Sequence, residues 1–319
     1  MDKIRTVSVL GPTASGKTGL AVRLAKRLGG EVISCDSMQL YRGMDIGTAT
    51  PDMAEREGVP HHMFDIADPS EEFSAADYAR MAAPVIEDVA ARGKLPILCG
   101  GTGLYRDAVM TITSFSQEAP DEALRASLYA YAEEYGNAAL HARLRAVDPD
   151  AADAIHMNNV KRVVRALEIC ETTGMTKTET DRMQTAGDSP YDDAPLILTF
   201  EDRALLYDRI ERRVDLMMEA GLEEEARELL RTGRPVSKTA AQAIGYKEFL
   251  PYFSGDCSLD EVSAQIKLAT RHYAKRQMIW FRRYEDAIRL WPDEGGVMKD
   301  GEKLADEAVS LLRERWESK

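Results

Sequence analysis

The sequence has few of the features that mark secreted, disulfide-bonded or membrane-spanning proteins. Its 319 residues include only four cysteines: Cys35, Cys99, Cys170 and Cys257. They lie far apart and form no C-x-x-C pair, which argues against a disulfide framework and against a zinc site. No apolar run approaches the roughly 20 residues that a membrane span needs, and the first residues lack the apolar segment of a signal peptide. We therefore expect a cytoplasmic protein with no membrane association.

Positive charge is also scarce, since 41 lysines and arginines face 54 aspartates and glutamates, for a formal net charge of −13. This balance argues weakly against a nucleic-acid partner, because phosphate backbones attract basic surfaces. Local patches matter more than the total charge. Lys267, Arg271 and Lys275 stand at i, i+4 and i+8 and so share one face of a predicted helix. This basic stripe fits either a solvated helix surface or a path for RNA.

The order of the predicted elements indicates an α/β protein with a helical insertion. Short apolar or β-branched runs alternate with helical patterns, which implies parallel strands flanked by helices. The predicted strands are residues 6–10, 31–36, 59–66, 95–101, 194–200 and 287–291, and long helices are predicted at 203–231, 239–253 and 259–283. From about residue 115 the patterns are all helical until a polar stretch at 176–193, which predicts a loop.

We therefore expect three segments. Residues 1–115 form the first part of a P-loop NTPase-like core, with a parallel sheet flanked by helices. Residues 116–190 form an all-helical insertion domain, and residues 191–319 complete the core with C-terminal helices.

The segment GPTASGKT matches the phosphate-binding pattern G-x-x-x-x-G-K-[ST] at every fixed position. It consists of Gly11, Pro12, Thr13, Ala14, Ser15, Gly16, Lys17 and Thr18. A predicted strand precedes it and a predicted helix follows, which is the context that the pattern requires. The glycines let backbone N–H groups turn toward phosphate oxygens, Lys17 adds a positive charge, and the Thr18 hydroxyl can hold Mg²⁺. The segment predicts a phosphate site without saying whether that phosphate is hydrolysed, transferred or released.

A carboxylate follows the second predicted strand, at Asp36. It can serve as a metal ligand or a general base, or it can cap the following turn through Ser37, and the residues alone leave these roles open. Strand 95–101 ends in Cys99-Gly100-Gly101. It therefore lacks the carboxylate that completes a nucleotide-hydrolysing site.

Adjacent histidines, His61 and His62, raise the question of a metal site. No third ligand is evident, and adjacent side chains of a strand point to opposite faces. We favour packing or hydrogen bonding for both.

A series of longer segments narrows the choice of function. In chain order they are DSMQLYRGMDIGTATP (36–51), HHMFDIADPSEEFSAADY (61–78), GGTGLY (100–105), VKRVVRALEICETTG (160–174), QAIGYKE (242–248) and LATRHYAKRQMIWFR (268–282). Together with GPTASGKT, this series closely resembles the tRNA dimethylallyltransferases, also called tRNA isopentenyltransferases, over nearly the whole chain. It resembles the bacterial members, which have no C-terminal zinc-finger extension.

The resemblance implies a particular reaction. That family is similar in fold to P-loop kinases but does not use ATP. It transfers the dimethylallyl group of dimethylallyl diphosphate to N6 of the adenosine immediately 3′ of the anticodon in tRNA. The phosphate loop would then hold the diphosphate of an isoprenoid, with Mg²⁺ as cofactor, and the protein would act as a monomer.

The resemblance also implies roles for individual residues. It makes Asp36 the general base, places Thr18 on Mg²⁺, and places Arg213 on the diphosphate, although the residues alone favour a solvated helix charge for Arg213. It assigns further positions to tRNA contact: Asp36, Ser37, Met38, Gln39, Thr102, Arg125, Lys161, Arg162, Val163, Val164 and Arg165. A glutamine such as Gln39 can read an adenine edge as both donor and acceptor.

Two other functions compete with this one. A small-molecule P-loop kinase would account for the loop, Lys17, Thr18 and Asp36, but not for the helical insertion or for the later segments. An NTP-dependent RNA-binding switch is a third possibility. The missing strand-end carboxylate counts against it.

Overall fold

The computed structural model describes residues 3–111, 121–185, 187–231, 233 and 235–318. The chain divides into two compact units, one made of Met1–Met110 and Pro190–Lys319 and the other of Thr111–Ser189. The boundary expected between residues 115 and 116 lies outside the described residues.

A six-stranded sheet forms the centre of the first unit, and all its neighbouring strands are parallel. The strands are β1 (Ile4–Leu10), β2 (Gly30–Ser34), β3 (His61–His62), β4 (Leu95–Gly100), β5 (Tyr191–Leu198) and β6 (Ile288–Leu290), in the order β3-β2-β4-β1-β5-β6. In the centre, Val7 of β1 stands between Ile97 of β4 and Ala194 of β5. All three side chains are at most 1% exposed, as expected where both faces of a parallel sheet are covered.

Helices connect the strands because parallel neighbours need crossover connections. They are α1 (Lys17–Leu28), α2 (Met53–Arg56), α3 (Ala75–Ala91), α4 (Gly103–Met110), α5 (Glu122–Tyr135), α6 (Asn137–Val147), α7 (Pro149–Ala154), α8 (Val160–Thr173), α9 (Lys177–Thr185), α10 (Arg203–Glu219), α11 (Leu222–Leu229), α12 (Leu250–Phe253), α13 (Leu259–Phe281) and α14 (Gly301–Glu317). A short antiparallel hairpin, β7 (Asp293–Glu294) and β8 (Val297–Met298), precedes α14. The expected α/β fold with a parallel sheet is confirmed.

The main core of the first unit lies between the sheet and the helices α1 and α14. Leu24 of α1 and Leu312 of α14 share one buried cluster with Val9 of β1 and Leu196 of β5. Helix α1 ends at Leu28, and the following Gly29 has a φ of 67°, which is readily adopted only by glycine.

In the second unit, the described residues of Thr111–Ser189 form only helices, α5 to α9. Their apolar faces meet in a separate core that includes Leu128, Leu140, Leu144, Val163 and Leu167. This unit therefore has a hydrophobic core of its own.

Four local predictions were wrong. The strand expected at 59–66 shrinks to the two residues of β3, and the loop expected at 176–193 contains α9 and the start of β5. The helix expected at 203–231 is interrupted at Gly221, where φ is 99°, and residues 239–253 form two 3₁₀ turns and the short α12 instead of one helix.

The fold brings three loops to one edge of the sheet, because the carboxyl ends of parallel strands meet there. The phosphate-loop segment follows β1, Asp36 follows β2, and the turn at residues 100–103 follows β4. These loops define the place to look for a site.

Candidate active site

A cavity of about 960 Å³ opens at this edge of the first unit. Its walls come from residues 13–19, 36–39, 45–52 and 99–100, and from side chains of α10 and α13. The phosphate-loop segment and the strand-end carboxylate, far apart in sequence, thus face one space.

The phosphate loop has the strained backbone that an anion site needs. Gly16 has a φ of 89° and Ala14 a φ of 61°, so both lie in the left-handed region. Gly11 has no room for a side chain, since a Cβ there would stand 2.9 Å from Ser15 Oγ and 3.0 Å from Leu198 Cβ. Helix α1 begins at Lys17, and the first N–H groups of a helix have no intrahelical partner and favour negative charge.

Two neighbouring side chains hold the loop in this shape. The Nε of Arg209, on α10, donates to the carbonyl of Ala14 at 2.9 Å. The Thr13 N–H donates to Oε1 of Gln277 at 2.9 Å. This second contact occupies one of the loop N–H groups that could otherwise bind phosphate.

The charges beside the loop also favour an anion. The pKa of Lys17 is lowered, first because protein surrounds the ammonium group and next because Arg213 is positive, while Asp36 opposes the shift. Burial likewise lowers the pKa of Arg213, and Asp36 again opposes it. A phosphate group placed between these two cations would offset their mutual repulsion.

Asp36 lines the cavity, and one of its carboxylate oxygens is hydrogen-bonded within the turn that Asp36 begins. Its Oδ1 accepts from the Met38 N–H at 3.0 Å, an Asx-type turn that fixes the side chain. A Cβ on Gly101 would stand 3.6 Å from Oδ2. The carboxylate is therefore oriented while Oδ2 keeps its capacity to accept a proton.

Thr102 joins the turn after β4 to the segment after Asp36. The Ser37 N–H donates to Thr102 Oγ1 at 3.0 Å, and that hydroxyl donates to Ser37 Oγ at 3.3 Å. The turn needs its glycines: a Cβ would come within 1.9 Å of Cys35 O at Gly100 and within 2.0 Å of Gln277 Nε2 at Gly101. The GGTG sequence thus lets backbone and side chains of three elements meet behind Asp36.

Comparisons with known proteins identify the family. The sequence profile of the family described as IPP transferase matches residues 39–284. The tRNA dimethylallyltransferase of Halalkalibacterium halodurans is 51% identical over 280 residues, which cover 88% of each chain.

Two solved structures are similar in fold as well. The crystal structure of the full-length tRNA isopentenylpyrophosphate transferase of Bacillus halodurans matches with a TM-score of 0.72 and 45% identity over 99% of this chain and 98% of that one. A eukaryotic dimethylallyltransferase acting on tRNA matches with a TM-score of 0.74 and 30% identity, covering 90% of this chain and 74% of the other. This chain belongs to the IPP transferase family. The resemblance seen in the sequence is confirmed.

In this IPP transferase, Gln39 is bound on both sides by the protein itself. Its Oε1 accepts from Ser34 Oγ at 2.9 Å, and its Nε2 donates to the carbonyls of Thr48 at 3.3 Å and Ala49 at 3.2 Å. Both N–H donors of the amide are therefore used internally. In this arrangement Gln39 braces the loop instead of offering its donors to a base.

The predicted tRNA-contact residues of the second unit fall into two groups. Lys161 and Arg162 are exposed at the start of α8. Val163 and Val164 are 0% and 1% exposed and pack inside the core of this unit.

Two arginines of the same unit share a buried partner. Arg125 Nε lies 2.9 Å from Glu168 Oε1 and Arg165 Nη1 lies 2.6 Å from Glu168 Oε2, and the Glu168 side chain is 1% exposed. These ion pairs lower the pKa of Glu168 against the effect of its burial. Both arginines thus have a structural role within the unit.

The basic stripe on α13 is partly neutralised by α10. Lys267 pairs with Asp215 at 2.5 Å and Arg271 with Glu211 at 2.6 Å, while Lys275 is exposed. Two of the three basic residues of the stripe are therefore paired with the neighbouring helix.

Both histidines are held by hydrogen bonds. His62 Nε2 lies 2.7 Å from Glu31 Oε2, and His61 Nδ1 lies 2.8 Å from the carbonyl of Val59.

Across the described part of the chain, no group of three or more His, Cys, Asp or Glu side chains is arranged to hold a metal ion. Among the described helices, none is both long and apolar enough to cross a bilayer.

Two residues that hold the walls of the site cannot be predicted from the sequence: Gln277, which binds the Thr13 N–H, and Glu225, which binds the N–H groups of residues 45–47. Gln277 lies inside a quoted segment, LATRHYAKRQMIWFR, but nothing local distinguishes it from its neighbours. Glu225 is one of three consecutive glutamates, Glu223 to Glu225, and only the fold shows which of them faces inward.

Proposed function

We propose that this protein transfers the dimethylallyl group from dimethylallyl diphosphate to N6 of the adenosine immediately 3′ of the anticodon in tRNA. One observation carries the proposal: the anion-binding loop and Asp36 line the same cavity. Membership of the IPP transferase family supports it, since the reported relatives are named as enzymes that modify tRNA. A small-molecule kinase, the alternative function, has no such support.

The reaction joins the adenine N6 to the allylic C1 of the donor. The bond between C1 and the bridging oxygen breaks, pyrophosphate leaves, and N6 loses one proton. The protein must therefore stabilise charge on the leaving diphosphate, accept a proton and receive an adenine that has left its stack.

The first task falls to the phosphate loop and its neighbours. The N–H groups at the start of α1 and the cations Lys17 and Arg213 surround the proposed diphosphate site. Because the Thr13 N–H donates to Gln277, we assign the binding amides to residues 14–18. Each charge-assisted contact strengthens as negative charge builds on the leaving oxygen.

A magnesium ion fits this site through oxygen donors. The Thr18 hydroxyl lines the cavity, and Mg²⁺ typically binds one or two protein oxygens together with substrate phosphates and water. When bound, the ion would neutralise part of the diphosphate charge.

The second task falls to Asp36. A carboxylate is one of the side chains that act as a general base. The hydrogen bond from Met38 holds one oxygen, so the other can take the proton of N6. Cys99 also lines the cavity, but burial raises the pKa of its thiol to about 12, so it stays protonated at neutral pH and offers no competing nucleophile.

The acceptor is received beside Asp36, by Ser37, Met38 and Thr102. We assign Gln39 to bracing this segment, because its amide is engaged within the protein. In the second unit we assign contact with tRNA to Lys161 and Arg162, whose side chains are exposed. The roles of Arg125 and Arg165 would then be indirect, through Glu168.

A donor-competition assay tests the proposal. The protein is incubated with unmodified tRNA and either labelled dimethylallyl diphosphate or labelled ATP. We expect label in tRNA only with the isoprenoid, together with release of pyrophosphate. Phosphoryl transfer from ATP, with no prenylation of tRNA, would establish the kinase alternative.

A further inference from the structure

The carboxylate of Glu225, which has no part in the reaction as proposed so far, accepts four hydrogen bonds. Its Oε2 accepts from the N–H groups of Asp45 at 2.9 Å and Ile46 at 2.8 Å. Its Oε1 accepts from the Gly47 N–H at 2.9 Å and from the Tyr246 hydroxyl at 2.6 Å. One carboxylate on α11 thereby gathers the backbone of residues 45–47 and the side chain of Tyr246.

This arrangement needs a carboxylate. All four partners donate, and an ionised carboxylate offers only acceptor sites, about four of them. A glutamine in the same position would turn an NH₂ group toward backbone N–H donors. The charge also makes these hydrogen bonds stronger than neutral ones.

The packing around Glu225 locks two loops together. Tyr246 is 0% exposed, and a Cβ on Gly47 would stand 2.6 Å from its ring. The loop 45–52 and residues 242–245 both line the cavity. The proposed reaction assigns no role to the segments GMDIGT and QAIGYKE. The contacts of Glu225 show that they form two halves of one cavity wall.

The same wall is connected to the proposed base. The carbonyls of Thr48 and Ala49, just after the gathered amides, accept from the Gln39 amide. That amide in turn accepts from Ser34 at the end of β2. Asp36 lies in the short segment between Ser34 and Gln39, so both ends of its turn are braced by this network.

We propose that Glu225 is a positioning residue for the acceptor side of the reaction. This inference rests on the proposed function. The Glu225 carboxylate fixes the backbone of residues 45–49, and these residues hold Gln39. The position of the Asp36–Gln39 segment, which receives the adenine, is thereby fixed as well. The diphosphate loop is held separately, by Arg209 and Gln277. Glu225 should therefore affect the acceptor and leave the diphosphate site unchanged.

The test compares Glu225→Gln with Glu224→Gln, a matched change at an exposed position of the same helix. Steady-state transfer to tRNA gives kcat and KM, calorimetry gives the affinity for inorganic pyrophosphate, and amide hydrogen exchange reports on peptides covering residues 40–50. For Glu225→Gln we expect kcat/KM for tRNA to fall about tenfold or more, faster exchange in those peptides, and pyrophosphate affinity within about twofold of wild type. Glu224→Gln should match wild type in all three.

A double-mutant cycle identifies the route of the effect. If Glu225 acts through Gln39, then Glu225→Gln should add little to the loss caused by Gln39→Leu. Fully additive losses would overturn the route through Gln39. If Glu225→Gln lowers the melting temperature but keeps the wild-type kcat/KM for tRNA, the positioning role is overturned and Glu225 has a purely structural role.

The exchange measurement separates this inference from the proposed function. If wild-type protein transfers no label to tRNA, the proposed function fails, and the acceptor role assigned to Glu225 fails with it. If wild-type protein is active and exchange in residues 40–50 is the same in Glu225→Gln and wild type, only the present inference fails.

Discussion

Gln277 offers the most direct way to test how the diphosphate loop is held. Its side chain is 4% exposed, its Oε1 accepts from the Thr13 N–H at 2.9 Å, and its Nε2 donates to the Gly101 carbonyl at 3.0 Å. Replacement by leucine keeps the size of the side chain but removes both polar contacts. The half-buried N–H of Thr13 and the buried carbonyl of Gly101 then lose their partner.

The expected size of the effect follows from these two contacts. The unpaired buried carbonyl of Gly101 costs about 1–3 kcal/mol, and the half-buried Thr13 N–H costs about 1 kcal/mol, so Gln277→Leu should lower the free energy of unfolding by about 2–4 kcal/mol. Ordering the backbone of one released residue costs about 1–2 kcal/mol. If binding must reorder Thr13, the Kd for pyrophosphate should rise about 5- to 30-fold.

Calorimetric titration with pyrophosphate measures this directly, with thermal unfolding recorded on the same samples. Gln265→Leu is the control, because Gln265 is exposed on the same helix. Gln277→Glu keeps an acceptor for Thr13 but adds a negative charge, so it should also weaken pyrophosphate binding. A folded Gln277→Leu variant with a Kd within about twofold of wild type would refute the reasoning.

Three further predictions concern other parts of the first unit. Asp36→Asn should lower single-turnover transfer by about 10²- to 10⁴-fold while pyrophosphate affinity stays near wild type; a near-normal rate would remove Asp36 as the base. The partners Arg92 and His62 lower the pKa of Glu31 from 4.5 to about 2, so its stabilising effect is complete above pH 4.5 and is lost as the pH falls toward 2. In urea titrations Glu31→Gln should therefore lower the free energy of unfolding by about 2 kcal/mol near neutral pH, a value discounted because Arg92 is partly exposed. This difference from wild type should shrink in acid, and a difference that stays constant with pH would contradict the prediction. Gly47→Ala should lower stability by about 1–3 kcal/mol because its Cβ overlaps the Tyr246 ring, and an unchanged melting temperature would show that the ring can move aside.

The sequence was informative where structure is set locally. The phosphate loop, the start of α3 and the end of α1 each depend on a glycine or a capping residue within a few positions. Ser74, for example, accepts from the Asp77 N–H, and the Asp77 carboxylate accepts from the Ser74 N–H. Such signals can be recognised without knowledge of the rest of the fold.

The polar stretch at 176–193 shows where local reasoning fails. Its polar character predicts a loop, yet Asp193 lies on β5, between β1 and β6 in the sheet. Its charge is balanced by Arg106 of α4, 2.7 Å away, and its carboxylate accepts a hydrogen bond from the hydroxyl of Ser8 on β1 at 2.9 Å. Those partners are distant in sequence, so no pattern within the stretch could reveal a buried ion pair.

The same reason explains what was missed in the site. Glu225 binds residues 45–47, and Gln277 binds Thr13 and Gly101. The resemblance assigns Gln39 to tRNA contact, whereas its hydrogen bonds to Thr48 and Ala49 depend on how the following loop folds back. Local motifs single out the groups that we propose to react, whereas the groups that hold them emerge only from the fold.

Mass spectrometry of the tRNA product tests the central claim most directly. Unmodified tRNA is incubated with the protein and dimethylallyl diphosphate, and the anticodon fragment is then sequenced by its masses. The account predicts one added dimethylallyl group, on the adenosine immediately 3′ of the anticodon, with pyrophosphate released in equal amount. An unmodified fragment, or a group added at another nucleotide, would contradict it.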